Sequence, residues 1–199
     1  MTTKRVIIVL LTVFFVFAFV ASSQEIKKMS KYGFKGETND VVLIVDTETA
    51  RLREAETFVP LFIYLNNSTK GTIKADRGSF TLVTPDGDRL SLPSYDEVTK
   101  GYGSDKIGND YTYLKKIEDY ASISFLSSKM IPRVCFFPSP SKGSVLYDKV
   151  ELPNRSYFKT LLYFPNVAKN KSGTYTLIFE DQSSQIKVEV PFVIEWLKK

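Results

Sequence analysis

The stretch that decides the fold runs from Tyr157 to Val190, YFKTLLYFPNVAKNKSGTYTLIFEDQSSQIKVEV. It reads as three strands. Residues 158–164 are the first, ended by Pro165-Asn166-Val167 and a Lys/Asn-rich turn. Gly173 opens the second, over 174–180. The polar turn Asp181-Gln182-Ser183-Ser184 leads into the third, over 186–190. Short β-rich runs separated by turn residues are the pattern of a β-sandwich, and this stretch reads as its closing half.

Working outward, residues 57–65 (TFVPLFIYL) form the strongest strand of the first half. Alternation puts Val59, Leu61, Ile63 and Leu65 on one face and Phe58, Phe62 and Tyr64 on the other. Both faces are apolar, so something must cover the aromatic side too. Pro60 lacks a ladder donor and belongs at an edge, a bulge or a strand start. Further strands are expected over 41–45, 73–75, 79–84, 89–92 and 133–137, and residues 145–152 read as a short strand or an extended linker. Pro85-Asp86-Gly87-Asp88 marks a hairpin. Residues 47–56 fit a helical turn or a polar edge strand equally well. Residues 93–108 read as loop. A helix is expected from a cap at Asn109 or Asp110 to about Tyr120, with Leu114 and Ile117 at helical spacing. Residues 93–132 therefore read as a partly helical insertion between strands, its helix laid over Phe62 and Tyr64.

The first residues have another character. Lys4 and Arg5 precede the uncharged run 6–20, VIIVLLTVFFVFAFV, and Ala21-Ser22-Ser23 follows. This is the layout of a secretory signal. The run is short for a bilayer span, which favours a cleaved signal over residues 1–23. An uncleaved membrane anchor is the alternative, and no membrane contact is expected unless the leader is retained; with basic residues before the run the remainder is expected outside the cytoplasm either way. Residues 24–39 read as linker and 40–199 as one sandwich.

Composition excludes several kinds of chemistry. The 199 residues contain no His, which removes imidazole acid–base catalysis, the Ser–His pair and imidazole metal sites. Cys135 is the single cysteine, so no intrachain disulfide forms. The net charge is +5; a chain starting near Gln24 loses Lys4 and Arg5 and carries a mild positive excess with its lysines dispersed, which argues against nucleic acid as a partner.

At Ser172-Gly173-Thr174-Tyr175-Thr176-Leu177 the run LLYFPNVAKNKSGTYTL resembles the E-to-F strand passage of immunoglobulin-like (Ig-like) domains. The resemblance implies that Gly173 sits at the turn onto strand F and that Tyr175 is a tyrosine corner, its hydroxyl bonding to backbone a few residues upstream. Leu177 stands where the second cysteine of such domains would be, and the strand-C Trp is absent. The likeness covers residues 40–92 and 155–196. It implies an all-β, disulfide-free Ig-like β-sandwich of the kind found in uncharacterised exported bacterial proteins, and it implies no particular activity.

The candidate site residues are Tyr95, Tyr102, Tyr111 and Tyr113. Tyrosines on a loop offer large contact area at low entropy cost; the competing reading is that they pack the insertion onto the sheet. Other motifs carry less. Asp86 and Asp88, with Asp76, fall short of a calcium ligand set. Ser139-x-x-Lys142 lacks the helix that a Ser/Lys pair requires. Asp96, Glu97, Asp105 and Asp110 read first as solvated loop charges. Cys135 reads as a buried inert thiol. Asn66, Asn67, Asn154 and Asn170 open formal glycosylation triplets that Asn-rich turns also produce by chance. No catalytic residue, metal or cofactor is assigned. The expected function is a non-catalytic exported module, acting in the cell envelope or outside the cell through a protein or glycan partner. The alternatives are a His-independent hydrolase using Asp/Glu carboxylates, or a membrane-tethered structural subunit.

Overall fold

The computed structural model describes residues 26–114, 120, 125, 127–137, 145–167 and 171–197. The leader, Ile117, Ser139 and Asn170 lie outside that set. Among the described residues no helix is long and apolar enough to cross a membrane.

The chain is strand-rich, with two main sheets and two short ladders among the described residues. The larger sheet has the order β1-β2-β3-β4-β12-β8, from β1 (Lys27–Lys28), β2 (Gly33–Thr38), β3 (Val41–Asp46), β4 (Phe58–Asn67), β8 (Lys129–Met130) and β12 (Ser156–Pro165). The smaller has the order β14-β13-β6-β7, from β6 (Phe80–Val83), β7 (Arg89–Ser91), β13 (Thr174–Asp181) and β14 (Ile186–Val193). β5 (Ile73–Asp76) pairs with β11 (Lys149–Leu152), and β9 (Val134–Cys135) with β10 (Val145–Leu146). Residues 50–52 form a 3-10 turn. Residues 27–38, expected as linker, instead supply the outer two strands of the larger sheet.

β4 is the backbone of the molecule. It pairs with β12 along its whole length, from Asn67 opposite Ser156 to Phe58 opposite Pro165. On its other side the ladder with β3 ends at Phe62 opposite Asp46. Pro60 lies beyond that end, so its missing N–H interrupts no β3 bond. Every residue of β4 is buried. Val59, Leu61, Ile63 and Leu65 alternate with Phe58, Phe62 and Tyr64, so the two sets lie on opposite faces. The inner layer of the smaller sheet is Leu82, Tyr175, Leu177, Phe179, Val188, Val190 and Phe192, all buried. Aromatic contacts join the layers: Phe34 of β2 meets Phe192 of β14 at 6.2 Å, and Phe136 lies 6.0 Å from both Phe80 of β6 and Phe158 of β12. At one edge β2 lies so close to β14 that a Cβ at Gly36 would collide with the Glu189 carbonyl.

The aromatic face of β4 is covered by the insertion. Tyr120 and Phe125 stand 5.7 and 6.4 Å from Tyr64, and Tyr102 stands 6.3 Å from Phe58. The expected contact of Leu114 or Ile117 lies outside the described side chains. The insertion is more helical than the sequence reading has it. The stretch expected as loop contains α1 (Tyr95–Tyr102), and α2 runs over Ser104–Leu114, so Asp110 is inside a helix rather than at its cap. α1 begins with a capping box: the Ser94 hydroxyl accepts from the Glu97 N–H, and the Glu97 carboxylate accepts from the Ser94 N–H at 2.7 Å. Ser94-Tyr95-Asp96-Glu97 is the S-x-x-E signature of such a start.

Candidate functional site

Of the four candidate tyrosines, Tyr95 is 37% exposed at the start of α1. Tyr102 ends α1 with 3% exposure, wedged edge-on against Phe58 and 5.4 Å from Tyr163. Tyr111 is half-buried on α2, its hydroxyl enclosed without a hydrogen-bond partner among the described residues. Burial, then the neighbouring Cys135, push its pKa up. Tyr113 belongs to α2, but its side chain lies outside the described set. The tyrosines therefore form no single exposed patch, and Tyr102 serves packing. The spacing that reveals this is Val98-x-x-x-Tyr102, one helical turn apart and both buried.

Tyr102 leads to the group that organises this side of the molecule. Asp110 on α2 is fully buried. Its Oδ1 accepts from Arg53 Nε at 2.9 Å and Nη2 at 2.6 Å. Its Oδ2 accepts from the Tyr102 hydroxyl at 2.8 Å and, more distantly, from the Tyr163 hydroxyl at 3.4 Å. Burial pushes the Asp110 carboxyl above its ordinary pKa, and the bonds from Tyr102, Arg53 and Tyr163 offset only part of that rise. Burial alone would lower the Arg53 guanidinium, but Asp110 raises it overall. Four elements meet here: the 47–57 loop through Arg53, α1, α2 and β12. Lys106 adds an ion pair to Glu56 beside them. A buried carboxylate with this many donors is a tie between elements. Chain order separates Arg53, Asp110 and Tyr163 widely, so no local motif announces it.

A second buried tie lies further along the sheet. The Tyr120 hydroxyl donates to Asp46 Oδ2 at 2.6 Å and lies 2.9 Å from the Ser30 hydroxyl. It also fills the space above Gly33, where a Cβ would strike the ring.

An open cleft of about 330 Å³ lies between the β5–β11 ladder and the β13–β14 turn, lined among others by Lys74, Asp76, Lys149, Glu180 and Asp181. Two of its carboxylates hold the local backbone. Asp181 accepts from the N–H groups of Lys74 at 3.1 Å and Ser183 at 2.9 Å, and from the hydroxyls of Ser183 and Ser184 at 2.7 Å each. Burial works to raise its pKa, but these bonds outweigh burial and lower it. Asp76 accepts from Ser79 N–H at 2.9 Å. The size is at the low end for a small-ligand site.

The remaining candidates are placed as follows. Asp86 pairs with Lys171, and Asp86, Asp88 and Asp76 gather no metal set; among the described residues no group of three or more His, Cys, Asp or Glu could hold an ion. Glu97 caps α1. Cys135 is buried and free. Asn66 and Asn67 are buried, and Asn67 Nδ2 donates to Gly71 and Leu152 carbonyls at 2.8 Å each, so neither offers a free amide in the folded chain. Asn154 is exposed. The Tyr175 ring is buried, and its hydroxyl donates to the Lys171 carbonyl at 3.1 Å, four residues upstream. Gly173 has φ +141° against Pro85, and Leu177 is fully buried.

No family model matches this chain, and neither a curated protein nor a solved structure matches it.

Proposed function

We propose that the chain is a non-catalytic, exported Ig-like module that acts in the cell envelope or extracellular space by holding a protein or glycan partner. The observation that carries the Ig-like part is the strand order. β3-β4-β12 runs in the sense of the A-B-E strands of an Ig-like sandwich, and β14-β13-β6-β7 in the sense of G-F-C-C′. The insertion then falls between C′ and E. The Tyr175–Lys171 bond stands where the tyrosine corner of such domains does. Export is supported by the leader pattern of residues 1–23. The interior carboxylates Asp110 and Asp46 are engaged in ties between elements, a structural task.

The cleft beside Asp76, Glu180 and Asp181 gives the hydrolase reading its one specific support, since paired carboxylates in a cleft are what glycoside hydrolysis uses. Cross-linked capture from the native envelope separates the two. The module reading expects one partner to be recovered equally by the wild type and by an Asp76→Asn/Glu180→Gln variant. Turnover of a glycan by the wild type that the variant loses would replace it with the enzyme reading.

A further inference from the structure

We propose that the β1–β2 hairpin is the surface with which the protein rests on an anionic phospholipid bilayer; this builds on the export reading. The lysines are dispersed over most of the chain, but the hairpin is a local exception: it carries Lys27, Lys28, Lys31 and Lys35 within nine residues, with Arg51 stacked 4.7 Å over the Tyr32 ring beside them. Its register is unusual. Lys27 stands directly opposite Lys35, and like charges directly opposite each other destabilise a strand pair. Internal carboxylates answer only part of the charge. Glu37 lies 2.7 Å from Lys35 and Glu195 lies 4.0 Å from Lys28, and Glu25 precedes the hairpin in sequence. Lys27 and Lys31 have no carboxylate partner among the described residues. Edge lysines also discourage strand-to-strand aggregation, but that task does not require two of them face to face.

The occupant follows from where the chain comes from. The apolar run ends at Val20, so Lys27 is within about 23 Å of it even with the intervening chain fully extended. If the run stays in the bilayer, the hairpin is kept within that distance of the end of the run. If it is removed near Gln24, the new terminus adds one positive charge three positions before Lys27 in the sequence. Ile26, 38% exposed, and the half-buried Met29 and Tyr32 stand among these cations, a composition suited to the headgroup boundary.

The test uses the chain as recovered from the envelope, reconstituted with vesicles of phosphatidylcholine alone or with one-third phosphatidylglycerol. Acetylation of each lysine is followed by mass spectrometry. Lys27 and Lys31 are expected to react about fivefold more slowly on the anionic vesicles, with the difference lost at high salt. Lys149 and Lys187, on other elements, are expected to react equally on both. A Lys27→Gln/Lys31→Gln variant, altered only at exposed positions, is expected to lose the protection of Lys35, which stands opposite Lys27. Equal rates on the two vesicles overturn the proposal. So does slowing that appears only when envelope protein extract is added, which assigns the hairpin to an acidic protein. Fractionation and N-terminal sequencing report on export separately, so failure of the lipid contact and failure of export are told apart.

Discussion

Asp110 is a charged side chain with no exposure to water, and its surroundings explain how it is tolerated. Removing one member of a buried ion pair leaves the other uncompensated, at a cost of about 3–5 kcal/mol. Asp110→Ala is therefore expected to destabilise the protein by about that amount in urea unfolding, with Arg53 left half-buried and two tyrosine hydroxyls without their acceptor. Asp110 and Asp181 should also respond to pH in opposite senses. Asp110 is raised in the folded state, so the folded chain binds its proton more readily than the unfolded one. Stability from this group falls as pH rises from the ordinary carboxylate range through its folded pKa. Asp181 is lowered, so its contribution is present above the ordinary carboxylate pKa and is lost as pH falls through its folded value. Asp181→Ala should thus be less stable than wild type at neutral pH, and the gap should close in acid. A gap that stays constant with pH would show that the carboxylate charge is not what holds the turn. At this scale the sequence was only partly readable. The Tyr175 bond is something the resemblance carried by Gly173-x-Tyr175 implies, whereas the Arg53–Asp110–Tyr163 tie joins residues far apart in the chain and leaves no local trace.

Among the elements, the strands were the legible part, because alternation and turn residues act over a few positions. β4, β13 and the β6–β7 hairpin all lie within a few residues of where their patterns place them. The insertion was read less well. Gly101, Gly103 and Gly108 suggested loop, yet α1 is secured by its Ser94/Glu97 box and by burying Val98 and Tyr102 against the sheet. Ser94→Ala should cost about 1 kcal/mol and be read as faster amide exchange in α1. β2 is illegible for a different reason: its charged residues hide a strand whose Phe34 and Gly36 face the other sheet. Gly36→Ala puts a methyl group into the Glu189 carbonyl, so β2 and β14 must separate. An overpacking loss of about 1–3 kcal/mol in denaturant unfolding is expected.

For the molecule as a whole, the governing feature is that β4, and β12 over residues 160–164, are buried on both faces, by the smaller sheet on one side and by the insertion on the other. This explains why the aromatic face of β4 was readable as needing a cover while the identity of that cover, Tyr102, Tyr120 and Phe125, was not. No sulfur bridge joins the sheets, and the contact between them is made by packing of aromatic and aliphatic side chains. The most direct test is a nuclear Overhauser experiment on phenylalanine-labelled protein. Two facing sheets predict cross-peaks between the rings of Phe34 and Phe192 and from Phe136 to both Phe80 and Phe158. Well-dispersed spectra lacking all three would contradict the two-layer arrangement.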